Sequence, residues 1–222
     1  MNAVLIRIRS LMRRLGVTRL ASRFRTAGYE NALRRAMLAA VGPGDVVWDV
    51  GANVGLYTAE FARLVGPTGR VIAFEPAQDC VAELRKRFAD DGRVVINPIA
   101  LGDFDGTVSF QAGGDEVSPL GQVRPGMAGN QVPVKRGDSI WRGSGVAPSV
   151  VKIDVEGFEP EVLTGMRELL AAGYVRALFI EVHFALLEQR AMALAPAAIV
   201  RSLRQAGFKT RWVDPSHLGA WR

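Results

Sequence analysis

Two short runs hold the residue types best suited to chemistry. In Val151-Lys152-Ile153-Asp154-Val155-Glu156 a charge falls at every second position, and Phe179-Ile180-Glu181-Val182-His183 repeats the spacing with Glu181 and His183. Alternate residues of a strand share a face, so Lys152, Asp154 and Glu156 lie on one side, and Glu181 lies with His183. Three chemistries are open to such a set. His183, with an ordinary pKa near ~6.5, could take a proton at neutral pH. Asp154 and Glu181, with His183, could hold a hard divalent cation such as magnesium and lower the pKa of a bound hydroxyl. Alternatively Lys152 pairs with the acids in a structural ion network, as buried charges commonly do. His183 is one of two histidines, and its place at a strand end in the expected cleft favours a functional role.

A second constellation lies upstream. Val46 to Val50 is apolar and β-branched, Gly51-Ala52-Asn53-Val54-Gly55 makes a turn, and a helical pattern runs from Leu56 to Leu64. A strand passing through glycines into a helix start is a nucleotide site, because exposed N–H groups face the ligand and small residues let it approach. Asn53 stands where a dinucleotide fingerprint would have its second glycine. The acidic opening Asp49-Val50-Gly51 instead suits a cationic cofactor such as S-adenosylmethionine. Arg70-Val71-Ile72-Ala73-Phe74-Glu75-Pro76 reads as the next strand, ending in a carboxylate, and Glu75 could accept both hydroxyls of a ribose. Asn53, Tyr57 and Thr58 open the first helix, where the methionine end of such a cofactor would lie.

The elements that must position these residues alternate. Helices are expected over residues 31–41, 79–89, 159–170 and 197–205, and strands over 93–99, 150–155 and 175–182. Residues 208–213 and 217–221 read as a hairpin across Asp214-Pro215, and 107–111 with 132–135 as a smaller one around a Gly/Pro-rich loop, 113–130. That loop is long for a compact domain and reads as functional. Alternating strands and helices imply a doubly wound α/β sheet with ligands at the carboxyl ends of its strands; the strands bearing Asp154 and Glu181 are neighbours in the usual order.

With five motifs laid out in order, the chain resembles the FkbM family of S-adenosylmethionine-dependent methyltransferases. The motifs are Asp49 to Thr58, Phe74-Glu75-Pro76, Ala100-Leu101-Gly102-Asp103, Lys152 to Glu159 with Val162-Leu163 and Gly165, and Glu181-Val182-His183. The resemblance spans roughly residues 29–215. It implies a Rossmann-like sheet of the class I methyltransferase type and transfer of a methyl group to an oxygen, often a hydroxyl of a sugar, glycolipid or polyketide. Asp49, Gly51, Asn53, Gly55, Tyr57, Thr58, Glu75 and Leu101 are then the donor-binding residues. Asp154, Glu181 and His183 are the catalytic set and the magnesium ligands if a metal takes part. The expected acceptor is a small-molecule or oligosaccharide hydroxyl. Rival readings are a lipid, polyketide or nitrogen acceptor, or a donor-binding module without catalysis.

Composition bounds the rest. The chain has 222 residues, 49% of them apolar, with a net charge of +6. Seven arginines and no acid fall in residues 1–28, so the remainder is near neutral, which argues against a nucleic-acid substrate. Val4, Leu5, Ile8, Leu11, Met12 and Leu15 recur at helical spacing opposite those arginines. This predicts a basic helical extension over residues 1–42 before a methyltransferase domain over 43–222. The extension could cover the pocket, join two copies or touch an acidic membrane surface. Cys80, the single cysteine, excludes an internal disulfide and fits the cytoplasm; arginine outnumbers lysine as in GC-rich bacterial genomes. Tyr29 and Glu30 could close over the donor, and Trp141, Trp212 and Trp221 could stack on a sugar, although core packing is the default for tryptophan.

Overall fold

The computed structural model describes residues 32–111, 122–123 and 130–222. The basic segment 1–28, Tyr29, Glu30 and most of loop 113–130, with the expectations placed on them, lie outside the described residues.

A helix over residues 32–39 (α1) leads into β1 (Val46–Val50), α2 (Leu56–Leu64), β2 (Arg70–Phe74), α3 (Gln78–Arg87) and β3 (Val94–Asn97). Next come β4 (Ala100–Leu101), β5 (Gly106–Gln111), β6 (Gln122–Val123), β7 (Asn130–Lys135) and α4 (Gly137–Ser144). The rest is β8 (Val150–Ile153), α5 (Glu159–Gly165), α6 (Arg167–Ala171), β9 (Ala177–Glu181), α7 (Phe184–Gln189), α8 (Ala195–Gln205), β10 (Lys209–Trp212) and β11 (His217–Trp221).

Seven strands form the main sheet in the order β10-β11-β9-β8-β1-β2-β3. β1 pairs in parallel with both β2 and β8, so the chain winds away from it in two directions. A doubly wound sheet opens its ligand crevice at such a switch point, outside the carboxyl ends of the strands. β11 alone is reversed, antiparallel to β9 and to β10.

The alternation along β1 decides which side chains go where. Trp48 and Val50 pack with Ile153, Met166 and Ile180 on one face, while Val47 packs with Met37 and Phe61 on the other. Asp49 therefore points towards α2, fully buried, and its register partner across the sheet is Lys152.

The structure departs from the sequence reading in four places. The small hairpin is a four-stranded sheet, β4-β7-β5-β6, because Ala100 and Leu101 add a parallel strand to β7. β8 ends at Ile153, so Asp154 and Glu156 leave a loop rather than a strand face, and Glu156 is left-handed at φ 52°. The expected helix 159–170 is broken at Met166: Gly165 lies against the Gly102 carbonyl, where a Cβ would be 1.8 Å away. The second piece, α6, starts afresh on the Asp138 carboxylate, which accepts from Glu168 N and Leu169 N at 3.1 and 2.8 Å. The short helices α4 and α7 gave no long apolar period and were not expected.

Gly51 has φ 77°, and a Cβ there would sit 1.8 Å from the Asp154 carbonyl oxygen. Gly51→Ala should therefore cost at least ~2 kcal/mol and lower the unfolding midpoint by roughly 4–8 °C. Gly92→Ala, with open space around it, should be neutral. Equal midpoints for the two variants in a thermal melt would contradict the close crossing.

Candidate active site

The turn after β1 is held by its own chain. Gly51 N and Ala52 N both donate to Phe74 O, at 3.0 and 3.1 Å. Gly51, Asn53 and Gly55 are all left-handed. At Gly55 a side chain would meet Leu84 and Phe88 at 2.7 Å. Glycine is needed at both positions for backbone conformation and internal packing, before any ligand is considered. Glu75 ties this turn to the end of β2. Its Oε2 accepts from Asn53 N and its Oε1 from Ala77 N, both at 2.8 Å. Burial raises its pKa, and the two amide donors oppose that rise.

Beneath the turn lies a buried ion pair. Lys152 Nζ stands 3.1 Å from Asp49 Oδ1 and donates to Gly51 O at 2.7 Å, while Thr58 Oγ1 donates to Asp49 Oδ2 at 2.6 Å. Asp49 Oδ1 takes its compensation from the Lys152 ammonium. Burial pulls the Lys152 ammonium down, and the Asp49 and Asp154 carboxylates more than offset it, leaving the pKa above the ordinary value. The structural network weighed from sequence thus exists, but its main partner is Asp49. Asp49 and Thr58, expected to face the donor, turn their polar atoms to each other inside the fold. Leu101 is likewise buried in the main core.

The exits of β8 and β9 do bring the acids and His183 together. His183 Nδ1 lies 2.8 Å from Glu159 Oε1, and its Nε2 lies 3.1 Å from Glu156, 3.8 Å from Asp154 and 3.8 Å from Glu181. Glu159 is fully buried and also accepts from Gly157 N, so it fixes the ring. Burial lowers the His183 pKa, but hydrogen bonds and charge from Glu156 and Glu159 overcome it and push it up to about 10. The flanking carboxylates thus favour the imidazolium, which counts against His183 as a free general base. The Asp154 pKa is also raised: burial lifts it, with Glu181 and Glu156 adding and Lys152 and His183 opposing. Donor atoms of Asp154, Glu156 and His183 lie within 4.8 Å of one another, close enough to share a metal ion. Glu156 replaces Glu181 in the set expected from sequence.

Three residues of this region were not singled out from sequence: Glu159, Asp214 and His217. Glu159 lies three residues after Glu156, a spacing that returns both carboxylates to one end of α5, which was the available signal. Asp214-Pro215-Ser216-His217 looked like a turn and nothing more. The tryptophans pack internally: Trp141 meets Tyr174, Trp212 meets Phe184 and Trp221 meets Phe179. Tyr57 stacks on Phe61, with Lys152 Nζ 5.6 Å from its ring. Cys80 Sγ is 3.5 Å from Asn53 Oδ1, and burial pushes the thiol up. No helix among the described residues is long and apolar enough to cross a membrane.

The sheet order, the reversed β11 and the crevice at β1 define a Rossmann-like fold of the class I methyltransferase type. A crystal structure of methyltransferase FkbM from Methylobacillus flagellatus KT superposes with a TM-score of 0.57 at 18% identity, covering 81% of this chain and 44% of that one. Aeropyrum pernix fibrillarin, solved with S-adenosyl-L-methionine, gives 0.51 at 14% identity over 86% of this chain and 75% of that one. Residues 49–210 match the Methyltransferase FkbM domain, and the chain belongs to that family. The hexuronic acid methyltransferase AglP of Haloferax volcanii is 30% identical over 164 residues, 72% of this chain. The match spans 65% of that relative, just under two thirds of its length.

Two measurements check the electrostatics. Lys152→Met should destabilise by ~3–5 kcal/mol by leaving Asp49 charged and unpaired in the core, and Asp49→Asn added to it should restore part of the loss. Additive losses in denaturant titrations would show that the pair is not coupled. For His183 the native pKa of about 10 stands above an unfolded value of ~6.5. Its contribution is then complete below pH ~6.5 and declines as pH rises, vanishing above about 10. His183→Gln should lose that decline; parallel stability-versus-pH curves for variant and wild type would refute the imidazolium.

Proposed function

We propose that the chain is an S-adenosylmethionine-dependent O-methyltransferase whose acceptor is a hydroxyl of a saccharide or glycoconjugate. The observation that carries the reading is the contact between Gly51 and the Asp154 carbonyl. It seats the turn at the end of β1 directly against the acid–histidine cluster at the ends of β8 and β9.

The residues present fit such a donor. Each Glu75 oxygen accepts one amide hydrogen and keeps a lone pair for a ribose hydroxyl. α2 begins at Gly55 with no side-chain cap and no acid in its first turn, leaving its N–H groups for the donor's carboxylate. Gly51, Asn53 and Tyr57 flank that position. The carboxylates of Asp154, Glu156 and Glu181 favour a cation beside them. When bound, the donor supplies a methyl group already activated on a sulfonium.

What remains for the protein is to align an oxygen, exclude water and take its proton. Asp154 suits the last task, because burial raises its pKa above the ordinary aspartate value and its side chain stays 29% exposed. His183, held as a cation by Glu159, lets the neighbouring carboxylates sit side by side. The acids also bear on the acceptor. They would repel a uronate carboxylate and leave a neutral hydroxyl undisturbed, so the methyl group goes to a hydroxyl. The Haloferax relative, named a hexuronic acid methyltransferase, supports a saccharide acceptor, and its acidic sugar makes the uronic glycosides the sharpest test of that repulsion.

A second reading rests on the proximity of Asp154, Glu156 and His183. Two carboxylates and an imidazole suit manganese or another borderline ion better than magnesium, which prefers all-oxygen sites. Glu159 on Nδ1 is the partner a ligating imidazole would have.

Labelled-methyl transfer to a panel of methyl glycosides, neutral and uronic, tests the proposal. Asp154→Asn should lower turnover by roughly 10²–10⁴, with donor affinity in calorimetry falling far less because Glu156 and Glu181 still face the sulfonium. Glu75→Gln should weaken donor binding by about tenfold or more. Label appearing only as a methyl ester of the uronide would overturn the hydroxyl assignment. Full activity after exhaustive chelation would retire the metal reading, whereas loss restored by manganese would establish it.

A further inference from the structure

The C-terminal hairpin reaches the same cluster from the other side. His217 opens β11 and is the antiparallel register partner of Glu181 at the end of β9. Its Nε2 stands 3.3 Å from Glu181 Oε2, and its Nδ1 stands 2.6 Å from Asp214 Oδ2. The Asp214 side chain is 1% exposed, and its Oδ1 accepts from Ser216 N and His217 N at 2.9 and 3.0 Å. Ser216 O in turn accepts from Val182 N at 2.8 Å, locking the turn to the exit of β9. Both histidines of the chain thus converge on one carboxylate, since Glu181 Oε1 lies 3.8 Å from His183 Nε2. Glu181 is also the most exposed acid of the group, at 36%, against 29% for Asp154 and 17% for Glu156.

One oxygen of Glu181 is held and the side chain is still 36% exposed. A carboxylate fixed in this way is a hydrogen-bond acceptor of set direction for a hydroxyl. We propose that Asp214 and His217 are positioning residues, which act through Glu181 to present its carboxylate to a hydroxyl of the acceptor. Glu181 is then an acceptor-binding group and Asp154 the proton acceptor. The assignment rests on the O-methyltransferase reading above. Asp214 and His217 lie beyond residues 49–210, the stretch matched by the family domain.

Two arms test it, with His217→Gln and His217→Phe in the full chain. Glutamine keeps an N–H for Glu181 and phenylalanine does not. With a methyl glycoside accepted by the wild type, His217→Phe should lower kcat/KM for the glycoside by roughly 10–100-fold, the loss of one hydrogen bond to a charged group. KM for the donor should not change, and His217→Gln should recover most of the loss. In Glu181→Gln the His217→Phe change should have little further effect. The second arm needs no acceptor. With two histidines, the ring nitrogen signals are assigned from one variant, and Glu181→Gln should shift those of His217 at fixed pH. Unshifted signals would overturn the contact, and equal losses in folded His217→Gln and His217→Phe, or additive effects with Glu181→Gln, would overturn the positioning role. If no glycoside is methylated the saccharide reading fails, while the nitrogen signals still decide whether His217 holds Glu181.

Discussion

The carboxyl end of the sheet depends on how closely the exits of β1 and β8 pass one another. There is no room for a Cβ between Gly51 and the Asp154 carbonyl, and Lys152, the register partner of Asp49, sends its ammonium up to Gly51 O. The turn that would receive the donor and the loop that carries the acids are therefore one rigid piece. A displacement of β8 by a fraction of an ångström would move both. A buried pair such as Asp49 with Lys152 contributes little net stability once desolvation is counted. Its effect is to select one register of β1 against β8, since any other leaves two charges unpaired in the core.

Around that joint the carboxylates outnumber the cations. Asp154, Glu156, Glu159 and Glu181 face His183 and Lys152, and Asp214 with Glu181 faces His217. Each histidine gains a proton's worth of attraction from its acids against the cost of burial, and both are raised. Glu181 moves the opposite way: burial would raise it, but His217 and His183 carry it below its ordinary value. Asp154 stays raised, because burial and the neighbouring acids outweigh Lys152 and His183. Two carboxylates at the ends of adjacent strands are thereby driven apart in basicity. That separation lets one take a proton and the other remain an acceptor of hydrogen bonds.

Much of this was legible from residue types and spacing. β1 and α2 are bounded by glycines and by apolar runs, and their limits match the structure, as does the neighbour relation of β8 and β9; β2 stops at Phe74, short of the expected Glu75-Pro76. The convergence of Asp154, Glu156, Glu181 and His183 followed from it. What failed were inferences that gave every polar residue of a motif to the ligand. Asp49 and Thr58 satisfy each other instead, because period-two alternation sends Asp49 into the layer under α2, where only a buried partner can meet it. Gly51 and Gly55 were read as room for a ligand, yet their missing side chains make room for Asp154, Leu84 and Phe88. Glu156 could not be placed by strand alternation, because the chain leaves β8 at Ile153 and turns left-handed three residues later.

The contribution of His217 was invisible for a topological reason. In a sheet of parallel strands only the last residue of each strand reaches the crevice, so a histidine at the start of a strand would be expected at the far end. β11 is reversed, and its first residue stands level with the last of β9. The turn between β10 and β11 therefore sits at the carboxyl end of the sheet, among the loops that bind ligands. Asp214 accepts from the two backbone N–H groups that shape this turn and from the imidazole that leaves it. Closing the hairpin and aiming His217 at Glu181 are then joined through one buried carboxylate, which holds the backbone of the turn with one oxygen and the imidazole with the other.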